Sequence, residues 1–405
     1  MRVDADDFAR PCSCGREHHI DVKEIVIESG AIGKLEEEMS DGDLREYISP
    51  LLICDTNSYK ATEELMEDIY DRCQVLILDA EGLEADDRAV EIVENYMEED
   101  IDLVLAVGAG TIHDLSRFVA HQYRIPFVSV PTAASSDGFT STVADMTWNG
   151  VKKTVAASAP LFVFADTDIF AKAPKRLTAA GVSDILGKYI ALADWKIASI
   201  LSEEYYCAEV VNLETRAVRT VKDNLKEIAA GEDEACEKPM YALALSGLAM
   251  QMTGSSRPAS GAEHHLVHLW DMEVVNGHLD ALHGEKVSGG TMLVLLEYKK
   301  IADAIRRGTC KVHTCTEEDQ ELLKETFGKK GILGALEKEN TPEPLDDVST
   351  RELSDALPRI LKIIDALPAV TDMQEMMNTA GCVSRVRDIG LPGEAEGHPG
   401  FIDVA

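Results

Sequence analysis

LVLAVGAGTIHD, Leu103 to Asp114, passes from a wholly apolar, strand-length run through two glycines into a stretch of helical spacing. Glycines at such a junction let backbone amides approach an anionic phosphate, and the helix N-terminus that follows adds partial positive charge. A plain structural turn would look the same. The usual dinucleotide fingerprint has a third glycine three residues on and an acid about 20 residues later; here Arg117 follows Leu115-Ser116 and that glycine is missing. The segment therefore predicts a strand–turn–helix unit, and its neighbours repeat that unit.

On either side lie further short apolar runs: Glu24–Glu28 (EIVIE), Leu51–Cys54 (LLIC), Val75–Leu78 (VLIL) and Phe127–Val130 (FVSV). Helix-like segments such as Thr62–Asp71 and Asp86–Glu99 separate them, a pattern that predicts a parallel sheet with helices on both faces. Val143–Thr147 and Val151–Val155 flank Asn149-Gly150, the preferred chemistry of a tight antiparallel hairpin. Phe162–Ala165 reads as one more buried strand before Asp166. From Leu177 the apolar residues recur at three and four spacings and strand signals nearly vanish. Lys172-Ala173-Pro174 punctuates the change, with a helix opening around Ala179.

The expected architecture is an α/β N-terminal nucleotide-binding domain with a parallel sheet (21–174), followed by an all-helical C-terminal metal-binding domain (175–390). A partly ordered arm (1–20) precedes them and a loose tail (391–405) follows. The acidic segment Glu337–Asp347, with Pro342 and Pro344, reads as a surface loop.

With 39 Lys plus Arg against 73 Asp plus Glu, the formal charge is −34, which excludes most nucleic-acid binding because a phosphate backbone needs concentrated positive potential. A small anionic substrate remains open if a metal, a cationic side chain or a helix N-terminus meets it locally. The N-terminal MRVDADDFARPCSCG lacks the basic-then-apolar pattern of an export signal. The longest mainly apolar run, Tyr241–Met252, falls short of the roughly 20 residues that span a bilayer. Nine cysteines in no framework-like spacing fit a reducing cytoplasm.

Three further groups could carry chemistry. PTAASSDGFTS (131–141), directly after a strand, is placed to line the crevice beyond the sheet's carboxyl ends, although its composition also suits a solvated loop. Asp55, after LLIC, could bind a ribose hydroxyl or sit in a surface turn. In the helical half, Asp184, His264 and His283 come from separate segments and can offer one oxygen and two nitrogens to a divalent cation, leaving positions open. His268 shares a helix face with His264, so one can ligate while the other meets substrate. A lone histidine is more often structural; several together, with His265, shift the reading towards a site. Cys12-x-Cys14 with His18 and His19 resembles half a zinc site, but no second pair is near in sequence, so a partly ordered arm is the preferred reading.

AVGAGTIHD (106–114), PTAASSDGFTS (131–141), AAGVSDILGKYIALADW (179–195), SSRPASGAEHHLVHLWDM (255–272) and LHGEKVSGG (282–290) together closely resemble the glycerol-1-phosphate dehydrogenases, most of all the bacterial AraM type, within the iron-containing alcohol dehydrogenase and dehydroquinate synthase-like superfamily. The resemblance runs from about Glu24 to about Lys300, and SRPASGAEH is its most specific block. It implies a dehydroquinate synthase-like fold with the active site between the α/β and helical domains, and it favours a homodimer.

By the same matching, Asp55 would hold the adenosine ribose of NAD(H) or NADP(H), with NAD preferred because its carboxylate disfavours a 2′-phosphate. Gly108, Ala109, Gly110, Thr111, Ile112, Thr132, Ala133, Ala134, Ser135 and Ser141 would hold the dinucleotide. Asp184, His264 and His283 would bind zinc, nickel or iron, with Asp137, Asp184 and His268 against the substrate. Lys188 stands where some iron-dependent relatives carry a fourth ligand, which implies three protein ligands here. The implied reaction is metal-assisted hydride transfer between dihydroxyacetone phosphate and sn-glycerol 1-phosphate. Arg257 is a candidate phosphate clamp, the plain alternative being a structural ion pair. Rival readings are a glycerol or polyol dehydrogenase on an unphosphorylated substrate, a dehydroquinate synthase-like lyase, and a non-catalytic nucleotide-binding protein.

Overall fold

The computed structural model describes residues 2–4, 11–313, 317–342, 345 and 347–391. Its first part is a seven-stranded sheet of β1 (Arg2–Asp4), β2 (Glu24–Glu28), β3 (Pro50–Asp55), β4 (Gln74–Leu78), β5 (Leu103–Gly108), β6 (Phe127–Pro131) and β9 (Phe162–Asp166), in the order β1-β2-β9-β6-β5-β3-β4. All pairs are parallel except β1 on β2. The central strands β5, β6 and β9 are buried along their whole length, as parallel strands covered on both faces must be. Side chains alternate: Val104 and Ala106 of β5 join one core cluster, Leu105 and Val107 the other. The edge strand β1 and the pairing it adds fall within the expected arm.

The chain runs from β3 outward to β4 and then returns to the far side of β3 as β5, so the order reverses between β3 and β5. That switch opens a crevice at their carboxyl ends, where Asp55 and Gly108 stand on adjacent strands.

The helices around the sheet are α1 (Ala31–Ser40), α2 (Thr56–Thr62), α3 (Glu67–Tyr70), α4 (Asp87–Glu94) and α5 (Gly110–Tyr123). Two differ from expectation. The helical stretch placed at Thr62–Asp71 splits into α2 and α3, because Asp55 caps α2 through the amides of Asn57 and Ser58 and starts it early. The one placed at Asp86–Glu99 ends at Glu94: Asp86 caps its start, and beyond Asn95 the chain turns.

The hairpin β7 (Val143–Trp148) and β8 (Val151–Ala156) turns through Asn149 (φ 51°) and Gly150 (φ 78°), the left-handed pair that Asn-Gly favours. Val151 packs with Leu269, Met272 and Ile332, so the hairpin bridges to the helical part.

After β9 and the short α6 (Thr167–Phe170), helices follow: α7 (Lys175–Leu201), α8 (Ala208–Lys222), α9 (Leu225–Ala230), α10 (Glu237–Thr253), α11 (Ala262–Asp271), α12 (His283–Arg306), α13 (Glu317–Phe327), α14 (Leu333–Glu339), α15 (Thr350–Asp365) and α16 (Val370–Thr379). Helix α7 opens at Lys175, directly after Pro174, rather than near Ala179. The apolar run 241–252 lies within α10, nearly all of it buried. Among the described residues no helix is long and apolar enough to cross a membrane.

Two glycines let these layers meet. A Cβ at Gly181 of α7 would fall 2.1 Å from the Ala134 carbonyl oxygen, and one at Gly284 of α12 would fall 2.0 Å from that of Ala180. Helix α7 is thereby pressed against the loop after β6 on one side and the start of α12 on the other. Of the acidic segment, 337–339 completes α14, Asn340 to Pro342 are exposed, and Pro344 lies outside the described residues, as does the tail from 392.

Candidate metal and dinucleotide cleft

A cleft of about 760 Å³ runs from the end of β5 to the first turn of α12. Ala109, Gly110 and Thr111 form one wall, Ser135 to Gly138 the floor, Asp145 and Lys152 of the hairpin the roof, and His264, His268 and His283 the helical side. No side chain caps α5, and Gly110 and Thr111 of its first turn line the cleft, where a helix N-terminus can receive an anion. A Cβ at Gly110 would come within 2.8 Å of Ser136 Oγ, so any larger residue would have to turn that hydroxyl aside where the two loops meet.

At the helical end, donor atoms of Asp184 (α7), His264 (α11) and His283 (the first residue of α12) all lie within 4.8 Å of one another. His264 Nε2 is 3.6 Å from Asp184 Oδ1. One oxygen and two nitrogens at this spacing fit a divalent cation with positions left open for a ligand. The support behind the donors fits too: His264 Nδ1 lies 2.7 Å from Glu263 Oε1, which also accepts from the Gly261 amide at 2.9 Å. That contact fixes the ring and leaves Nε2 for a metal. Burial works to lower the His264 pKa, but Glu263 outweighs it and the pKa rises. Burial and neighbouring His264 lower His283 to about 4, so it stands neutral, the form a ligand needs.

Residues 26–174 match the family model described as iron-containing alcohol dehydrogenase. A glycerol-1-phosphate dehydrogenase [NAD(P)+] of Geobacillus stearothermophilus is 33% identical over 393 residues, covering 95% of this chain and 89% of the relative. The chain belongs to the glycerol-1-phosphate dehydrogenase family. A second relative of the same name, from Geobacillus thermodenitrificans, is 38% identical over 302 residues, 73% of this chain and 74% of its own. The fold matches the iron-containing alcohol dehydrogenase of Thermotoga maritima with a TM-score of 0.56, at 18% identity over 96% of this chain and 97% of that one.

In this family member the residues expected to hold a dinucleotide divide by depth. Ala109, Gly110, Thr111, Ser135 and Ser141 line the cleft. Ile112, Thr132, Ala133 and Ala134 are buried behind it, with the Thr132 amide donating to the Gly108 carbonyl at 3.0 Å. Asp55 stands at the end of β3, where its Oδ1 accepts from the amides of Asn57 and Ser58 at 2.7 and 2.9 Å; it is not on the cleft wall. Asp137 lines the cleft, its amide donating to Asp184 Oδ2 at 3.1 Å. His268 lines it one turn after His264, with Nε2 3.4 Å from Asp145 Oδ1.

Arg257 Nε lies 2.7 Å from Glu204 Oε1, the ion pair that was the plain alternative for it, and Arg257 does not line the cleft. The cations that do line the cleft are Lys152, Lys286 and Lys330, paired with Asp145, Asp271 and Glu273.

Further charged residues support the site. Arg117, fully buried four residues after His113, which stands where a fingerprint would have its third glycine, donates to the carbonyls of His113, Gly138, Ser141 and Val143 and so clamps the floor loop. Lys188 takes no ligand position. Its Nζ lies 2.7 Å from Asp184 Oδ1 and 2.7 Å from Asp137 Oδ2, and although burial works to lower its pKa, these carboxylates raise it and keep it charged. Burial pushes Glu214 up to about 8; Ser246 Oγ lies 2.9 Å from its Oε1 and 2.9 Å from Asp137 Oδ2. A protonated Glu214 donates to Ser246, which then donates to Asp137.

Proposed function

We propose that this chain is an NAD(P)-dependent, metal-dependent oxidoreductase that interconverts dihydroxyacetone phosphate and sn-glycerol 1-phosphate. The observation that carries the reading is the Asp184, His264, His283 donor set at the inner end of a cleft whose outer wall is an uncapped helix N-terminus. Family relatives of the same name, 32 to 38% identical, support it.

Reduction adds a hydride to the carbonyl carbon and a proton to its oxygen. When bound, a dinucleotide against Gly110, Thr111 and Ser135 would supply the hydride, and a divalent zinc, nickel or iron would be held by Asp184, His264 and His283 and would supply Lewis acidity. Glu263 orients His264; Lys188 holds Asp184 and Asp137 in place, so that Asp137 presents a fixed carboxylate to a substrate hydroxyl. His268, facing the cleft beside Asp145, holds the proton that the substrate oxygen takes up on reduction and recovers it on oxidation. Lys152 and Lys286 join Arg257 as candidate cations for the substrate phosphate, since they line the cleft near His268 and His283, each balanced by an acid as Arg257 is. The α/β part, 21–174, holds the dinucleotide, with Asp55 favouring NAD over NADP through its free Oδ2; the helical part, 175–390, holds metal and substrate. The eight described cysteines are free thiols, which suits the cytoplasm, and a homodimer is the assembly the family resemblance favours.

Oxidation assays with NAD⁺ and three alcohols test the reading. Turnover of sn-glycerol 1-phosphate, with sn-glycerol 3-phosphate and glycerol idle, is expected. Turnover of glycerol alone would overturn it.

A further inference from the structure

We propose a second metal site, structural and separate from the cleft, built by Cys12, Cys14, His18 and Cys207. Their donor atoms all lie within 4.8 Å of one another. The fourth donor is what the sequence hid: Cys207, at the N-cap of α8, is almost two hundred residues from the Cys-Ser-Cys-Gly turn and completes the set only through the fold.

Three of the six donor–donor distances come close to the edges of a tetrahedron around a cation, and the other three lie within 4.8 Å. Cys12 Sγ is 3.5 Å from Cys207 Sγ, and His18 Nε2 is 3.5 Å from both Cys14 Sγ and Cys207 Sγ. Metal bonds of about 2.3 Å to sulfur and about 2.0 Å to nitrogen predict tetrahedral edges of about 3.8 Å between sulfurs and about 3.5 Å between sulfur and nitrogen. A disulfide would need about 2.05 Å, and the three thiols are free.

The surroundings are arranged as a metal centre needs. His18 Nδ1 donates to the Met252 carbonyl at 2.6 Å, which turns Nε2 towards the sulfurs. His18 is buried while His19 is exposed, so the pair divides into one ligand and one bystander. The turn closes through Gly15 N to the Cys12 carbonyl at 3.1 Å, and its φ of 79° is one that glycine accepts without strain. The Arg16 amide points at Cys14 Sγ at 3.5 Å and the Tyr205 hydroxyl lies 3.2 Å from the same sulfur, donors that stabilise a thiolate. Arg16 covers the Tyr205 ring at 3.6 Å, closing the outer side.

The arm 11–20 has no regular secondary structure of its own to hold it. A cation there ties it to the start of α8 and, through His18, to the end of α10. Asp21 continues the link: its amide donates to Gln251 Oε1 at 2.9 Å, and Gln251 in turn donates to the Thr140 carbonyl in the cleft floor. The chemical class is a soft or borderline divalent ion, zinc first, because three thiolates and an imidazole select it.

Cobalt(II) substitution of the full-length, reduced protein tests this. The wild-type protein is expected to show thiolate-to-cobalt charge-transfer absorption in the near ultraviolet and strong tetrahedral bands in the visible, with two metal ions per chain. His264→Ala keeps these bands and loses one metal; Cys207→Ser and Cys14→Ser lose the bands and keep the other metal. Should Cys207→Ser fail to fold, Cys14→Ser in the arm and the wild-type spectrum still decide. Cobalt-loaded wild-type protein without thiolate bands, or a Cys12–Cys207 disulfide in protein isolated under reducing conditions, would overturn the proposal.

Discussion

Lys188 Nζ lies 2.7 Å from Oδ1 of Asp184, one helical turn before it on α7, and both side chains are wholly buried. A cation is thus built into the protein beside the acid that would carry a metal, and it compensates Asp137 as well. Breaking a buried pair by removing one partner costs about 3–5 kcal/mol, because the other charge is left without compensation. Lys188→Met is expected to destabilise the metal-free protein by about that much and to recover more stability on metal binding than the wild type does. Urea denaturation with and without metal checks it; equal destabilisation in both states would show that Lys188 does not share the role of a cation at Asp184.

Glu263 acts on the metal only through His264. Glu263→Gln places an amide that can donate where the carboxylate accepts, so the His264 tautomer loses its support; metal affinity should fall about 10- to 100-fold with the helical circular dichroism unchanged. His264→Ala should abolish both bound cleft metal and turnover. Retained affinity in the Gln variant, measured by chelator competition, would mean that the ring is oriented by packing alone.

Glu214 gives a pH dependence whose sign is fixed. Its carboxyl, pushed up to about 8 chiefly by burial, takes up a proton on folding wherever the unfolded chain would be ionised. Stability from this group is therefore greatest below the ordinary carboxylate range and declines by about 1.4 kcal/mol per pH unit as pH rises towards about 8. Glu214→Gln lacks this dependence, so its stability relative to wild type should climb from pH about 5 to about 8 and level off above. Parallel stability–pH curves for the two proteins would contradict the assignment.

The helix cap that Asp55 makes and the ribose contact proposed for it separate by readout. Asp55→Asn keeps a side-chain oxygen for capping α2, so the loss of stability should stay within about 1 kcal/mol. The loss of negative charge should shift the kcat/KM ratio towards NADPH by about tenfold. An unchanged cofactor ratio would leave Asp55 as a helix cap only.

Six strands of the sheet were legible because each is a short apolar run bounded by turn residues, whereas β1 (Arg2–Asp4), polar and within the expected arm, was not; Asn149-Gly150 named its hairpin outright. Helix limits were not, since they depend on caps such as Asp55 and Asp86 whose partners are chosen by the fold. The Asp184, His264 and His283 set was visible from residue type and from the family resemblance. Its supporting groups were harder to see: Glu263 and Arg117 read as ordinary charged helix residues, and Lys188 was marked only by the ligand it replaces, until burial makes their pairing obligatory. Arg257 shows a complementary limit, since a guanidinium in a specific block says nothing about which partner it meets, and in the fold Glu204 lies 2.7 Å from it. Cys207 shows the limit most plainly, because no local spacing connects it with Cys12 and Cys14.

The central claim is reduction of a phosphorylated ketone at the metal end of the cleft. Following nicotinamide absorbance with metal-reconstituted protein, NADH and dihydroxyacetone phosphate, beside dihydroxyacetone, tests it most directly. The account predicts consumption with the phosphate ester and little or none without it. Equal consumption of both, or none of either with the cleft metal bound, would contradict it.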